Sequence, residues 1–200
     1  MRKLLLFIFT IFTMTFTSCN DDDNNSITET VIEVNAIGEF KHGGVIFWID
    51  PTDNSKGLVC AVEDQSSSIK WHNTTLPSVA GTSESIQTGA INTDAIITSL
   101  GSNYAAGVAR SYNGGGFTDW FLPSVDELIE ISNNRAVINT TATANSGTDL
   151  IALASNVSNG YWSSSKQSTD GSVYLFNILT GGKNGGFATN NASVRAIRAF

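Results

Sequence analysis

Side chains able to do chemistry are few and scattered in this 200-residue chain. The two histidines, His42 and His72, belong to no His-x-x-x-His or Cys-His set of the spacing that holds zinc. Gly-x-Ser-x-Gly is absent, as are the phosphate-binding loop and the dinucleotide fingerprint, because the glycine clusters at 114–116 and 181–186 are wrongly spaced. Asp50, Asp53 and Asn54 lack the ligand spacing and closing acidic residue of a calcium loop and read as a solvated turn. Asp119, Asp126 and Glu127 remain. Asp119, directly before Trp120, is either a general acid raised by burial or an acceptor for turn N–H groups. Glu127, three residues after Ser124, is accounted for as the second half of a capping box. The expectation is a protein without a catalytic centre, metal or cofactor.

The elements that must position these groups centre on the run Gly114-Gly-Gly-Phe-Thr-Asp-Trp-Phe-Leu-Pro-Ser-Val-Asp-Glu-Leu128. Three glycines permit a tight turn, and Phe117, Trp120, Phe121 and Leu122 supply apolar area for a core. Pro123 holds Leu122 extended, and Ser124 starts a helix whose buried stripe is Val125, Leu128, Ile129 and Ile131 before Asn133-Asn134 breaks it. Upstream, Ile96, Ile97, Leu100, Tyr104, Ala105 and Val108 recur at helical spacing, predicting one helix over 93–112 with Thr93 as cap and a left-handed stop at Asn113-Gly114. Residues 43–50 and 57–63 form a hairpin, apolar on both faces and therefore held between layers. Further strands are expected at 160–165, 172–179 and 194–200, with a turn at 181–186.

Two stretches lack a clean period, 66–88 and 139–159, and read as ordered loop and surface excursion. Trp71 beside His72 in the first is either a sugar-stacking platform or an anchor pinning the loop to the body. Segments 64–88 and 139–160 are the expected binding face, with Trp71 and His72 the candidate ligand-binding residues. Trp120, Pro123, Ser124, Glu127, Trp162, Arg195 and Arg198 are expected to be structural, with at least one of the arginines paired to an acid near Trp120.

Arg2 and Lys3 precede an apolar run from Leu4 to Phe16, the layout of a secretory signal. Thr17-Ser18-Cys19 at its end resembles a bacterial lipobox, with Phe16 in place of the usual leucine, so Cys19 is the candidate lipidation site; a plain signal cut near Ser18 is the alternative. Residues 1–18 would then be signal, 19–37 a hydrated tether and 38–200 the globular domain. Asp21-Asp-Asp23 resembles the surface-export signal of Bacteroidetes lipoproteins, or merely keeps the tether solvated. The chain has 11 basic and 18 acidic residues; loss of Arg2 and Lys3 with the signal leaves 9 against 18, a net charge near −9. Such a surface repels nucleic acid. Cys60, in Leu58-Val-Cys-Ala-Val62, reads as a small buried hydrophobe.

Four motifs occur together in order: Gly43-Gly-Val-Ile-Phe-Trp48, Asp119-Trp-Phe-Leu-Pro-Ser-x-x-Glu-Leu128, Tyr161-Trp-Ser-Ser-Ser165 and Val194-Arg-Ala-Ile-Arg-Ala-Phe200. The set resembles the Lcl C-terminal domain family over residues 38–200. The resemblance implies an α+β, C-type-lectin-like fold: two helices flanking small, mostly antiparallel sheets with long loops. It also implies extracellular recognition, since the adhesin that names the family attaches to sulfated glycans. The Glu-Pro-Asn and Trp-Asn-Asp triplets of calcium-dependent lectins are absent, and Cys60 alone lacks the paired cysteines of the related formylglycine-generating oxidases. The expected protein is a non-catalytic recognition or adhesion module for an extracellular glycan or protein, anchored in the outer membrane through Cys19 and displayed at the cell surface or on the periplasmic face. An unrecognised envelope hydrolase and a purely structural surface protein are the alternatives. Metabolic labelling with a palmitate analogue is expected to tag the wild type and to miss Cys19→Ala; equal labelling of both overturns the lipoprotein assignment.

Overall fold

A computed structural model describes residues 34–80, 82–150, 160–167 and 171–200. The signal, Cys19, the acidic run and residues 151–159 of the expected binding face lie outside the described residues. Residues 33–200 form one compact unit. It is an α+β domain whose described residues form four α-helices and two mostly antiparallel sheets.

The hairpin forms as expected, β2 (Gly44–Asp50) against β3 (Asp53–Cys60). Its turn is tighter than the sequence suggested, because Asp53–Lys56 continue the strand as an exposed extension. With β1 (Phe40–Lys41) on one side and β9 (Ile197–Ala199) on the other, the hairpin builds the four-stranded sheet β1-β2-β3-β9. Its two faces feed two separate apolar clusters. Ile46, Val59 and Ala61 pack with Trp71, Trp120, Leu122 and Trp162. Val45, Phe47, Leu58 and Cys60 pack with Phe121, Leu128, Ile131 and Tyr161. A strand apolar on both faces is thus a strand between two cores.

The second sheet has the order β4-β8-β5-β6-β7, from β4 (Ser66–Lys70), β8 (Asn191–Val194), β5 (Tyr161–Lys166), β6 (Val173–Asn177) and β7 (Gly182–Gly186). Among the described strands only the β5–β8 pair is parallel, through Tyr161 opposite Ser193. Two expectations are corrected here. Part of the long 66–88 loop is strand β4, whose alternation is hidden by three serines, and the 181–186 turn is mostly edge strand β7, paired along its length with β6. The closing strand is also divided: β8 ends at Val194 in one sheet, β9 starts at Ile197 in the other, and Arg195-Ala196 cross between them.

Among the described residues the α-helices number four, not two. The single helix expected over 93–112 is α1 (Gly89–Leu100) followed by α2 (Ala105–Ser111). Gly101, with φ +83°, ends α1 in a conformation that side chains resist. The chain then folds so closely over α2 that a Cβ on Gly107 would stand 1.8 Å from the Ser102 carbonyl oxygen. Thr93 lies inside α1 and caps nothing; its hydroxyl donates to the Gly89 carbonyl and accepts from the Leu122 N–H. No left-handed stop occurs at Asn113-Gly114 either, where Gly115 and Gly116 carry the positive φ. Helix α3 (Val125–Asn133) begins at Ser124 with the expected capping box. Asn134 ends it but also opens α4 (Arg135–Ala144), which buries Ile138 and runs into the 139–159 stretch expected as a surface excursion, burying Ala142 there.

Arg195 sits at the crossing and is 1% exposed. Its Nε donates to Asp64 Oδ1 at 2.6 Å, Nη1 to the Ala61 carbonyl, and Nη2 to the Thr148 and Asp149 carbonyls. Asp64 also accepts from the Tyr161 hydroxyl. Arg198 pairs with Asp119, meeting the expectation of an arginine tied to an acid near Trp120, and stacks over Phe117 at 3.7 Å from the ring centroid. The two pairs differ in solvation: the Asp119 side chain is 57% exposed and that of Asp64 11%. Arg195→Met, which strands a buried Asp64, is expected to cost about 3–5 kcal/mol in urea unfolding, and adding Asp64→Leu to recover much of it. Arg198→Met is expected to cost about 1 kcal/mol. Equal costs for the two arginines would refute this ordering.

Candidate functional site

Apart from Asp119, whose carboxylate pairs with Arg198 at the surface, most polar residues of the motifs are consumed inside the protein. Ser163, Ser164 and Ser165 on β5 are fully buried, as are Asn92, Thr93, Ser124 and Glu127. Ser165 Oγ donates to the Ser83 carbonyl and accepts from the Val125 N–H. Asn92 Nδ2 donates to the Ser83 carbonyl and to Ser164 Oγ, while its Oδ1 accepts from the Ser83 N–H. The Ser164 N–H donates to the Pro123 carbonyl at 2.7 Å. The segment 82–88 is thereby held by α1, α3 and β5 together. Among the described residues no buried side-chain polar atom lacks a partner.

Glu127 is the most heavily engaged of these groups. Its carboxylate accepts from the Ser124 N–H at 2.6 Å and from the Gly89 N–H at 3.3 Å, so one carboxylate closes the N-termini of both α3 and α1. The Gln87 N–H also donates to it. Gly89 must be glycine for this: a Cβ there would lie 2.3 Å from Glu127 Oε2. Burial pushes the Glu127 carboxyl up to about 7, against the pull of those donors.

The tryptophans are anchors. Trp71 is 1% exposed and its Nε1 donates to the Ser163 carbonyl at 2.8 Å, so its indole pins the loop to the body and is closed to a ligand. Trp120 and Trp162 are fully buried, donating to the Gly114 and Ile69 carbonyls. His72 is partly exposed, edge-on to Tyr104 with ring centroids 4.7 Å apart, and its Nδ1 accepts from the Thr74 N–H. Partial burial lowers its pKa. His42 stacks on Phe200 at 4.0 Å and its Nε2 is 3.0 Å from Asn35 Oδ1. Cys60 is fully buried, its thiol pushed up to about 12 by desolvation, which makes it inert. Among the described residues no three His, Cys, Asp or Glu side chains are placed to hold a metal, and no helix is long and apolar enough to cross a membrane.

The open chemistry lies elsewhere, in a cavity of about 350 Å³ lined by Glu63, Asp64, Gln65, Val108, Ser111, Tyr112 and Asn113. Asp64 and Gln65 are the first residues of the expected 64–88 face; the rest of the lining was missed. Asp64 is held by Arg195 and Tyr161, and burial raises its carboxyl against the Arg195 charge. Gln65 Oε1 accepts from the Ala196 N–H and its Nε2 donates to the Glu63 carbonyl. Glu63, Tyr112 and Asn113 are different. Among the described residues the Glu63 carboxylate has no ion pair, and neither the Tyr112 hydroxyl nor the Asn113 side-chain amide has a hydrogen-bond partner. Burial, followed by the Glu63 charge, raises the Tyr112 pKa and keeps the phenol neutral. The sequence signals that mark these residues are a carboxylate pair just past a buried strand and a Tyr-Asn step before three glycines.

Fold and cavity together define an α+β domain whose aromatic and serine motifs are structural and whose unengaged polar side chains meet in a surface cleft. The family profile of the Lcl C-terminal domain matches residues 60–198, most of this domain, and the chain belongs to that family. No curated protein matches it.

The raised pKa of Glu127 gives a pH dependence of fixed sign. Because the folded protein holds this proton more tightly than the unfolded chain, the stabilisation is full below about pH 4.5 and is lost as pH rises through about 7. The urea-unfolding free energy is expected to fall between pH 5 and 7 with a contribution of up to about 1.4 kcal/mol per pH unit from this group. In Glu127→Gln that contribution disappears, and parallel pH curves for the two proteins would refute the assignment.

Proposed function

We propose that this protein is a cell-envelope lipoprotein, anchored through Cys19, whose globular domain is a non-catalytic recognition or adhesion module of C-type-lectin-like type displayed outward from the outer membrane. The observation that carries this reading is the division of labour among polar side chains. Those of the family motifs are spent on internal hydrogen bonds, while Glu63, Tyr112 and Asn113 line a surface cleft with donors and acceptors unspent. Such a cleft suits binding. Hydrolysis by paired carboxylates is disfavoured there, since Asp64 is locked to Arg195 and leaves Glu63 alone. The membership in the Lcl C-terminal domain family supports an extracellular role, and the lipobox-like Thr17-Ser18-Cys19 supports the anchor. A mature charge near −9, derived above, favours neutral or cationic ligands over sulfated ones.

Panels of immobilised glycans and matrix proteins test the reading. Specific retention of the purified protein is expected, weakened about tenfold or more by the pair Tyr112→Phe and Asn113→Ala, of which the first keeps the half-buried ring against Trp120 and the second changes an exposed side chain. Turnover of a panel glycan would replace binding by catalysis. Protease shaving of intact cells is expected to remove the domain; full protection would move it to the periplasmic face.

A further inference from the structure

We infer that the cleft between the end of β3 and the end of α2 takes a protonated primary amine, the ammonium of a lysine side chain on a partner protein. The inference rests on the recognition reading and narrows it to a ligand class. Charge comes first. Five ion pairs among the described residues join Asp53 to Lys56, Asp64 to Arg195, Glu84 to Lys183, Asp94 to Arg110 and Asp119 to Arg198. Glu63 is exposed at the cleft and has no cation beside it among the described residues. With Asp64 neutralised by Arg195, the cleft carries one uncompensated negative charge. An anion is repelled and a single cationic head group is matched.

Shape and hydrogen bonding select among cations. Tyr112 and Asn113 line the same cavity as Glu63, and between them carry two acceptor oxygens and an aromatic ring. Three donors on one tetrahedral ammonium can use all three oxygens, with the ring adding a cation–π contribution. Val108 supplies an apolar wall for a methylene stem, and about 350 Å³ accommodates an unbranched four-carbon chain with its head group. A bare metal ion is a poorer match, since the described residues bring no three His, Cys, Asp or Glu side chains together. Approach is aided by the net negative charge of the mature chain, which concentrates cations at its surface.

The probe is a tri-lysine peptide carrying a photo-cross-linker, with its tri-acetyl-lysine counterpart, titrated against the full chain in neutral detergent. Tri-lysine is expected to bind and to cross-link to residues 63–65 and 108–113, and the acetylated peptide, equal in length but uncharged, not to bind. Glu63→Gln is expected to weaken binding roughly fivefold. Glu130→Gln, the same charge change on α3, is expected to leave it within about twofold. Ser111→Trp, at the exposed rim, is expected to abolish it by filling the cleft, with an unchanged unfolding midpoint showing that the fold is intact. Equal losses in Glu63→Gln and Glu130→Gln, binding of the acetylated peptide, or cross-links outside the cleft would each overturn the inference. Panel retention that depends on Tyr112 and Asn113 but persists without amine binding defeats the amine assignment and leaves the recognition reading standing; loss of both defeats both.

Discussion

Arg195 carries the connection between the two sheets. The chain leaves one sheet at Val194 and enters the other at Ile197, and the step between them has no ladder of its own. A guanidinium is suited to that gap because its donors lie in one plane and can reach Asp64, Ala61, Thr148 and Asp149 at once. Tyr161 on β5 shares the same carboxylate, so a single buried ion pair touches the end of β3, the start of β5 and the loop after α4. Desolvating such a pair is costly, and the cost is offset because each buried nitrogen and oxygen of the pair has a hydrogen-bond partner. The geometry of the cleft beside it depends on this: Asp64 and Gln65 are fixed from within, while Glu63, one residue earlier, faces water.

The same arrangement recurs around Glu127. A carboxylate with no access to water closes the starts of two helices, and Gly89 is present because nothing larger than hydrogen fits against it. The serines of β5 extend the network to segment 82–88. A core of this kind is less forgiving than an apolar one, because each member left unpaired is penalised in a low dielectric. It also explains how long irregular segments keep a fixed shape without strands of their own.

Much of this was legible in the sequence. Ser124 and Glu127 announced a capping box through their spacing, and the doubly apolar β2–β3 hairpin announced two cores. Tryptophan burial was one of two open readings for Trp71 and the structure selects it. Local pattern failed where tertiary partners decide. Strand β4 reads as polar loop because Ser66, Ser67 and Ser68 carry no periodicity, and its strand character comes from β8, more than a hundred residues away. Helix α4 carries the β-branched residues Val137, Ile138, Thr140, Thr141 and Thr143, which favour helix weakly, and is held by burial of Ile138 and Ala142. The break at Gly101 interrupts a period that runs straight through it. The cleft was half seen: residues 64–65 fell within the expected face, whereas Tyr112 and Asn113 arrive from the far end of α2 and no sequence spacing links them to Glu63.

The late position of the sheet-crossing segment has a kinetic consequence. Arg195 and Asp64 are 131 positions apart, and Cys60 pairs with Ile197 across a similar span. Neither sheet acquires its last partner strand until residues 191–199 arrive, so the loops that must close are among the longest this chain can form. Chains dominated by such remote pairings fold slowly. A polypeptide emerging N-terminus first would therefore remain unlocked until residues 191–199 had followed the strands they join.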